Sequence, residues 1–185
     1  LAAAAKAGMN SSDYADALIY AATDYVVEGD FDKSREMLLE AKSILMKQTG
    51  IRHTPRFNSI MQKLSMALSG VMMPESAMEV IEFMEDNRTK RGWKWICADC
   101  WDMNKLECLA QLQKKDEATA LYTELRDNVG NHADVASDVA SVWSRLGSVA
   151  FRMGLITESS ACYEKAIASM PPKEEWTQQH IMSLV

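Results

Sequence analysis

The most constraining feature of this 185-residue sequence is a short pattern that recurs four times at nearly constant spacing. In each copy a small residue follows the break between two apolar runs, and a bulky residue stands four positions later. The small residues, 43, 41 and 41 positions apart, are Ser34, Ala77, Ala118 and Ser159. The bulky residues are Leu38, Ile81, Tyr122 and Tyr163. Self-similarity at a period of about 20–50 residues is typical of chains built from stacked supersecondary units.

Each unit is predicted to consist of two helices, because apolar residues recur with a period of 3.6 rather than 2. Gly29 and Gly154 are predicted to end a helix in the left-handed conformation, and Pro74 is predicted to lie in the first turn of one. The predicted units span 14–48, 57–91, 95–130 and 134–171, and a further helix spans 173–185. The fold class is therefore all-α, with about four helical hairpins, a C-terminal helix and no strand.

The fourth unit resembles the tetratricopeptide repeat, because its spacing matches that consensus at Trp143, Leu146, Gly147, Gly154, Tyr163, Ala166 and Pro171. The first unit matches through Tyr25, Gly29 and Ala41, whereas the third has Gln113 in place of the glycine. A second resemblance, to the pentatricopeptide repeat, rests on residues 106–125 and on Phe57-Asn58-Ser59-Ile60. Either resemblance implies a right-handed α-solenoid, here a single array over residues 1–185.

The tetratricopeptide resemblance implies a non-enzymatic scaffold for protein–protein interaction, such as a subunit or assembly factor of a larger complex. Its other protein subunits would bind the concave face, which the first helix of each hairpin lines. The candidate partner-binding residues on these helices are Ile19, Thr23, Gln62, Met66, Met103, Glu107, Ser148 and Arg152.

Positive charge is concentrated in two stretches of an otherwise acidic chain. The net charge of −6 counts against phosphate binding over the whole surface but leaves local basic patches open. One stretch spans 42–63, and the other, 88–94, carries Arg88, Lys90, Arg91, Trp93 and Lys94, with Trp95 following. Basic residues interleaved with aromatic ones can bind nucleic acid, with the aromatic rings stacking on bases, or can bind an acidic partner. An RNA-contacting pentatricopeptide-like protein, for example in an organellar ribonucleoprotein, is therefore the alternative prediction.

The cysteines leave a third hypothesis open. Cys97 and Cys100 form a C-x-x-C pair, which would suit a metal or redox module, although a fourth zinc ligand and a βαβ context are both missing from the sequence. Packing of reduced thiols between helices is the other interpretation. No catalytic motif is present, so we expect neither an enzyme nor a cofactor or metal.

Cysteine usage also favours a reducing, intracellular location. The sequence does not distinguish the cytosol from the interior of an organelle. The first residue, Leu1, suits a processed organellar form. No apolar run reaches about 18 residues, so we expect no membrane span.

Overall fold

The computed structural model of the protein describes residues 11–48, 54–92, 98–129 and 139–170. Within these ranges the chain forms eight helices and no strand, which confirms the all-α fold class. The helices are α1 (Ser12–Glu28), α2 (Phe31–Met46), α3 (Pro55–Gly70), α4 (Pro74–Arg91), α5 (Ala98–Gln111), α6 (Lys115–Asn128), α7 (Val139–Arg152) and α8 (Ile156–Ala168). The helix predicted over 173–185 lies outside the described residues.

Four turns, between α1 and α2, α3 and α4, α5 and α6, and α7 and α8, have the same backbone conformation. Each contains a residue of positive φ, namely Gly29 (82°), Met72 (60°), Gln113 (55°) and Gly154 (78°). In each turn the next N–H donates to the carbonyl five positions earlier at 2.9–3.0 Å. This bond is typical of a helix that ends in a left-handed residue. The prediction for Gly29 and Gly154 is confirmed, and Met72 and Gln113 adopt the same conformation without being glycine.

The small residues that mark the sequence pattern each follow a turn residue by five positions. All four are buried: Ser34, Ala77, Ala118 and Ser159. Of the bulky residues four positions later, the first three are buried, but 39% of Tyr163 is exposed. Its ring faces Gly147, where an added Cβ would lie 3.1 Å away. Tyr163 therefore packs within its own helix pair instead of filling a closed core.

The folded chain divides into two compact parts, each larger than one predicted repeat, and we call these the first and second unit. The first unit extends to Cys108. In this unit α1 packs on α2 and α3 on α4, and α3 also contacts both α1 and α2. Asn104 of α5 donates to the Ser65 hydroxyl of α3 at 2.9 Å, in a buried position. The core contains the large, fully buried side chains Leu38, Leu45, Ile60, Met61, Leu64, Leu68, Ile81, Met84, Trp101 and Leu106.

The second unit begins at Leu109. Its helices α7 and α8 form a closely packed pair, and α6 contacts α7. The Ser159 hydroxyl donates to the Gly147 carbonyl at 2.8 Å and so joins α8 to α7 in the buried interior. Tyr122 of α6 reaches Cys162 of α8, with 3.3 Å between the phenol oxygen and the sulfur. The prediction of one continuous array over residues 1–185 stays a prediction.

Candidate protein-interaction face

Among the described residues, the neighbouring first helices α1 and α3 expose the large apolar side chains Tyr20, Val27 and Met66. Tyr20, Thr23 and Val27 follow one another at helical spacing on α1, and Lys63 and Met66 do so on α3. We call these five residues the α1–α3 face. Lys63 is half-buried and the other four are exposed, Val27 to 84% and Met66 to 44%.

Lys63 joins the two helices of this face. Its ammonium donates to the Tyr20 hydroxyl at 2.7 Å and to the Asp16 carboxylate at 3.3 Å, and it lies 4.6 Å from the centre of the Tyr20 ring. The hydrogen bond to Tyr20 raises the pKa of Lys63 against an opposing effect of burial, and Asp16 raises it further. The charge of Lys63 is therefore neutralised within the chain, and the aromatic ring of Tyr20 is held in place on the surface.

The structure separates the candidate residues of the first unit into exposed and buried ones. Thr23 and Met66 are exposed on the α1–α3 face, and Gln62 is half-buried beside it. Ile19 and Met103, by contrast, are only 4% and 3% exposed. These two side chains pack in the interior and do not line an open face as the sequence suggested.

The remaining groove candidates lie on α5 and α7. Glu107 and Ser148 are half-buried, and Arg152 is exposed in the last turn of α7. No part of the structure tests whether any of these residues binds a partner, so their role stays a prediction.

Sequence reasoning did not select Tyr20 or Val27, and it assigned Lys63 to the positive stretch 42–63 instead of to this face. A signal was nevertheless present, because Tyr20 and Lys63 lie 43 positions apart, as do the first two turn residues Gly29 and Met72. Residues in equal register occupy equivalent places on successive first helices. A comparison of registers would have shown an aromatic ring and a cation side by side.

The positive stretch 42–63 is largely neutralised by carboxylates from distant parts of the sequence. Lys42 pairs with Glu79 of α4, and the Lys42 side chain is only 14% exposed. Arg56 pairs with Asp13 of α1, and Lys63 pairs with Asp16 as described above. Arg52 and His53 lie outside the described residues. Three of the four described cations of this stretch are therefore paired with carboxylates, and the fourth, Lys47, is exposed at the end of α2.

The second positive stretch ends α4. Arg88, Lys90 and Arg91 are exposed in the last turn, where cations interact favourably with the carbonyl end of the helix. Lys90 also pairs with Asp86 one turn earlier, at 2.8 Å. Trp93, Lys94 and Trp95 lie outside the described residues. The described cations of this stretch therefore have a local role in ending the helix, and RNA contact stays a prediction.

The cysteines differ from one another in state. Cys100 is disulfide-bonded, which corrects the expectation of a reduced, packed thiol, whereas Cys108 and Cys162 are free and buried. Cys97 lies outside the described residues. Among the residues that the structure describes, no group of three or more His, Cys, Asp or Glu side chains could hold a metal ion. None of the described helices has the length and apolar character needed to cross a bilayer.

Comparison with known proteins identifies no family for this chain. No protein-family model matches the chain, and no curated protein sequence matches it significantly. The fold is therefore established at the level of an all-α chain whose helices pack in neighbouring pairs.

Proposed function

We propose that this protein is a non-enzymatic helical-repeat scaffold, with a right-handed α-solenoid arrangement, that binds another protein through the α1–α3 face. The observation that carries the proposal is the exposure of Tyr20, Val27 and Met66 beside a lysine whose charge is already paired. The partner would be another subunit of a complex that this protein belongs to or helps to assemble.

The composition of the face supports a protein partner. Aromatic residues and Met are enriched at protein interfaces, and lysine is depleted there. Met66 can adapt its shape to a partner, since its side chain is unbranched and flexible. Tyr20 is held by Lys63 before any partner arrives, so less side-chain entropy is lost on binding. The paired cations of the 42–63 stretch weaken the case for phosphate contact on the same unit.

A matched pair of variants tests the proposal. Met66 and Leu39 are exposed to nearly the same extent, 44% and 42%, but Met66 lies on α3 within the face and Leu39 lies on α2. Met66→Glu and Leu39→Glu add the same charge at equally exposed sites. Each variant and the native chain would be purified gently, with and without nuclease, and the co-purifying proteins would be quantified by mass spectrometry.

We expect Met66→Glu to reduce a defined set of partners by about tenfold, which corresponds to about 1.4 kcal/mol. Leu39→Glu should leave that set unchanged, and both variants should keep the native helix content. An equal effect of the two variants would refute the α1–α3 face as the binding surface. Loss of the partners on nuclease treatment of the native chain would favour the RNA-contacting alternative instead.

A further inference from the structure

The charges on the two helices of the α1–α3 face do not balance. Helix α1 contains four carboxylates and no basic residue, whereas α3 contains two cations and no carboxylate. Both cations pair with the carboxylates nearest the start of α1, Asp13 and Asp16. The other two carboxylates, Asp24 and Glu28, are exposed and form no ion pair within the described part of the chain. The two helices together are therefore left with an uncompensated negative charge.

The positions of Asp24 and Glu28 are unfavourable for α1 itself. The two residues stand four positions apart, and like charges at that spacing repel each other on a helix. Glu28 is also the last residue of α1, and the last turn has no basic residue. A carboxylate is disfavoured there by the partial negative charge of the helix carbonyls. The stability of α1 thus gives no reason for these acids, and a cation supplied by a partner would relieve both effects.

The same end of the face is apolar and open. Asp24 and Glu28 follow Tyr20 at i+4 and i+8 along α1, and the exposed Val27 is the neighbour of Glu28. On α3 the residue in the register of Val27 is Gly70, and a Cβ added there would have open space around it. A partner can therefore bring an apolar side chain to Val27 while it places a cation beside the two acids.

The backbone of α1 and α3 restricts the kind of segment that can bind. Within both helices the N–H and C=O groups are hydrogen-bonded along the helix, so the face has no strand edge to which an extended segment could add. An extended segment covered by this face would leave part of its backbone without partners, whereas a helix satisfies its own backbone groups. Surfaces of this kind recognise the apolar side of an amphipathic helix.

Resting on the protein-binding role proposed above, we propose that the α1–α3 face receives a basic amphipathic helix of the partner protein. The apolar side of that helix would contact Tyr20, Val27 and Met66. Its lysine or arginine residues would lie beside Asp24 and Glu28. Complementary charge of this kind accelerates association and selects against wrong partners. It also disfavours nucleic acid on this face, because uncompensated carboxylates repel phosphates.

Two synthetic helical peptides test the charge preference on the full native chain. Both carry the same stripe of leucines, and the remaining positions are lysine in one peptide and glutamate in the other. Fluorescence anisotropy of each labelled peptide measures its affinity. We expect the lysine peptide to bind about tenfold more tightly at low salt, and its affinity to fall as salt is added. Equal affinities, tighter binding of the glutamate peptide, or no binding of the lysine peptide would overturn the proposal.

A matched pair of double variants separates this face from the overall negative charge of the chain. Asp24→Asn with Glu28→Gln, and Glu75→Gln with Glu82→Gln, remove equal charge from exposed positions, but Glu75 and Glu82 lie on α4. The α1 double variant should bind the lysine peptide about fivefold more weakly, and the α4 double variant should change the affinity by less than about twofold. The α1 variant should also keep its thermal midpoint, since it removes a repulsive pair. Equal losses in the two variants would overturn the proposal.

Two further measurements distinguish failure of this inference from failure of the proposed function. Val27→Gln removes an apolar contact without changing the charge, and it should weaken binding of the lysine peptide. If Val27→Gln weakens binding and the α1 double variant does not, the basic helix is refuted while the protein-binding face stands. If neither weakens it, both proposals fail. Sedimentation of the native chain tests for a second copy, because self-association that the α1 double variant abolishes would place that copy on the face and overturn the proposal.

Discussion

The shared geometry of the four turns leads to a reciprocal prediction about the second unit. Gln113 and Gly154 hold the same place in their turns, with φ values of 55° and 78°. Gln113→Gly should stabilise the unit, and Gly154→Gln should destabilise it. No atom lies within 4 Å of a Cβ added at Gly154, and Gln113 is exposed, so backbone conformation dominates both effects.

The magnitude follows from two opposing terms. A residue with a Cβ costs about 1–2 kcal/mol in the left-handed conformation. Glycine in its place lowers the free energy of unfolding by about 0.4–1 kcal/mol, because it makes the unfolded chain more flexible. The difference between the two terms predicts a change of about 1 kcal/mol in the free energy of unfolding, an increase for Gln113→Gly and a decrease for Gly154→Gln. For a unit of this size, that corresponds to a shift of about 4–8 °C in the thermal midpoint.

Urea denaturation followed by circular dichroism measures both variants on the same unit. Gly70→Ala is the control, because Gly70 ends α3 without a positive φ and has open space around it. This control should not destabilise the protein. A destabilising Gln113→Gly, or a Gly154→Gln variant as stable as the native chain, would refute the inference that the two turns are equivalent.

Three further predictions concern buried contacts. Gly147→Ala should leave the free energy of unfolding of the native chain almost unchanged, because its Cβ would meet the Tyr163 ring at 3.1 Å. In a Tyr163→Ala background the same substitution should raise the free energy of unfolding by about 0.5–1 kcal/mol. Equal effects in both backgrounds would contradict this steric reasoning. Asn104→Ala should cost about 1–3 kcal/mol in urea denaturation, since it removes the buried partner of Ser65; a cost near zero would mean that the bond adds nothing. Burial raises the pKa of the Cys108 thiol to about 11 from its ordinary value of 9.0, so the unfolded chain loses the proton first and stability should fall as the pH rises from about 9 to about 11. Denaturation at about pH 8 and about pH 10 should show a weaker pH dependence for Cys108→Ala than for the native chain, and an unchanged dependence would refute the assignment.

Much of the local structure could be predicted from the sequence because its causes lie within a few residues. Pro74 opens α4 as expected, and Gly29 and Gly154 end their helices with positive φ. The left-handed Met72 and Gln113 were not predicted, because neither residue type favours that conformation on its own. Their position five residues before a buried small residue was the available signal.

The candidate site was predicted only in part. Thr23 and Met66 are exposed, which leaves their predicted binding role open, whereas Ile19 and Met103 are buried. An apolar residue at the edge of a helical stripe can face either the core or the solvent. The choice depends on how the neighbouring helix is rotated, and periodicity within one helix carries no information about that rotation.

The sequence by itself determined that the described parts of this chain are helical, that Pro74 begins a helix and Gly29 and Gly154 each end one, and at what interval the turns recur. These properties follow from backbone sterics, capping and periodicity, which act over one or two helical turns. Only the tertiary structure decided which charges remain on the surface. Lys42, Arg56 and Lys63 are cations in the sequence, but each meets a carboxylate on another helix more than 30 residues away. Such pairs form only when packing brings the helices together, because the Coulomb attraction between exposed charges is screened beyond about 10 Å of water.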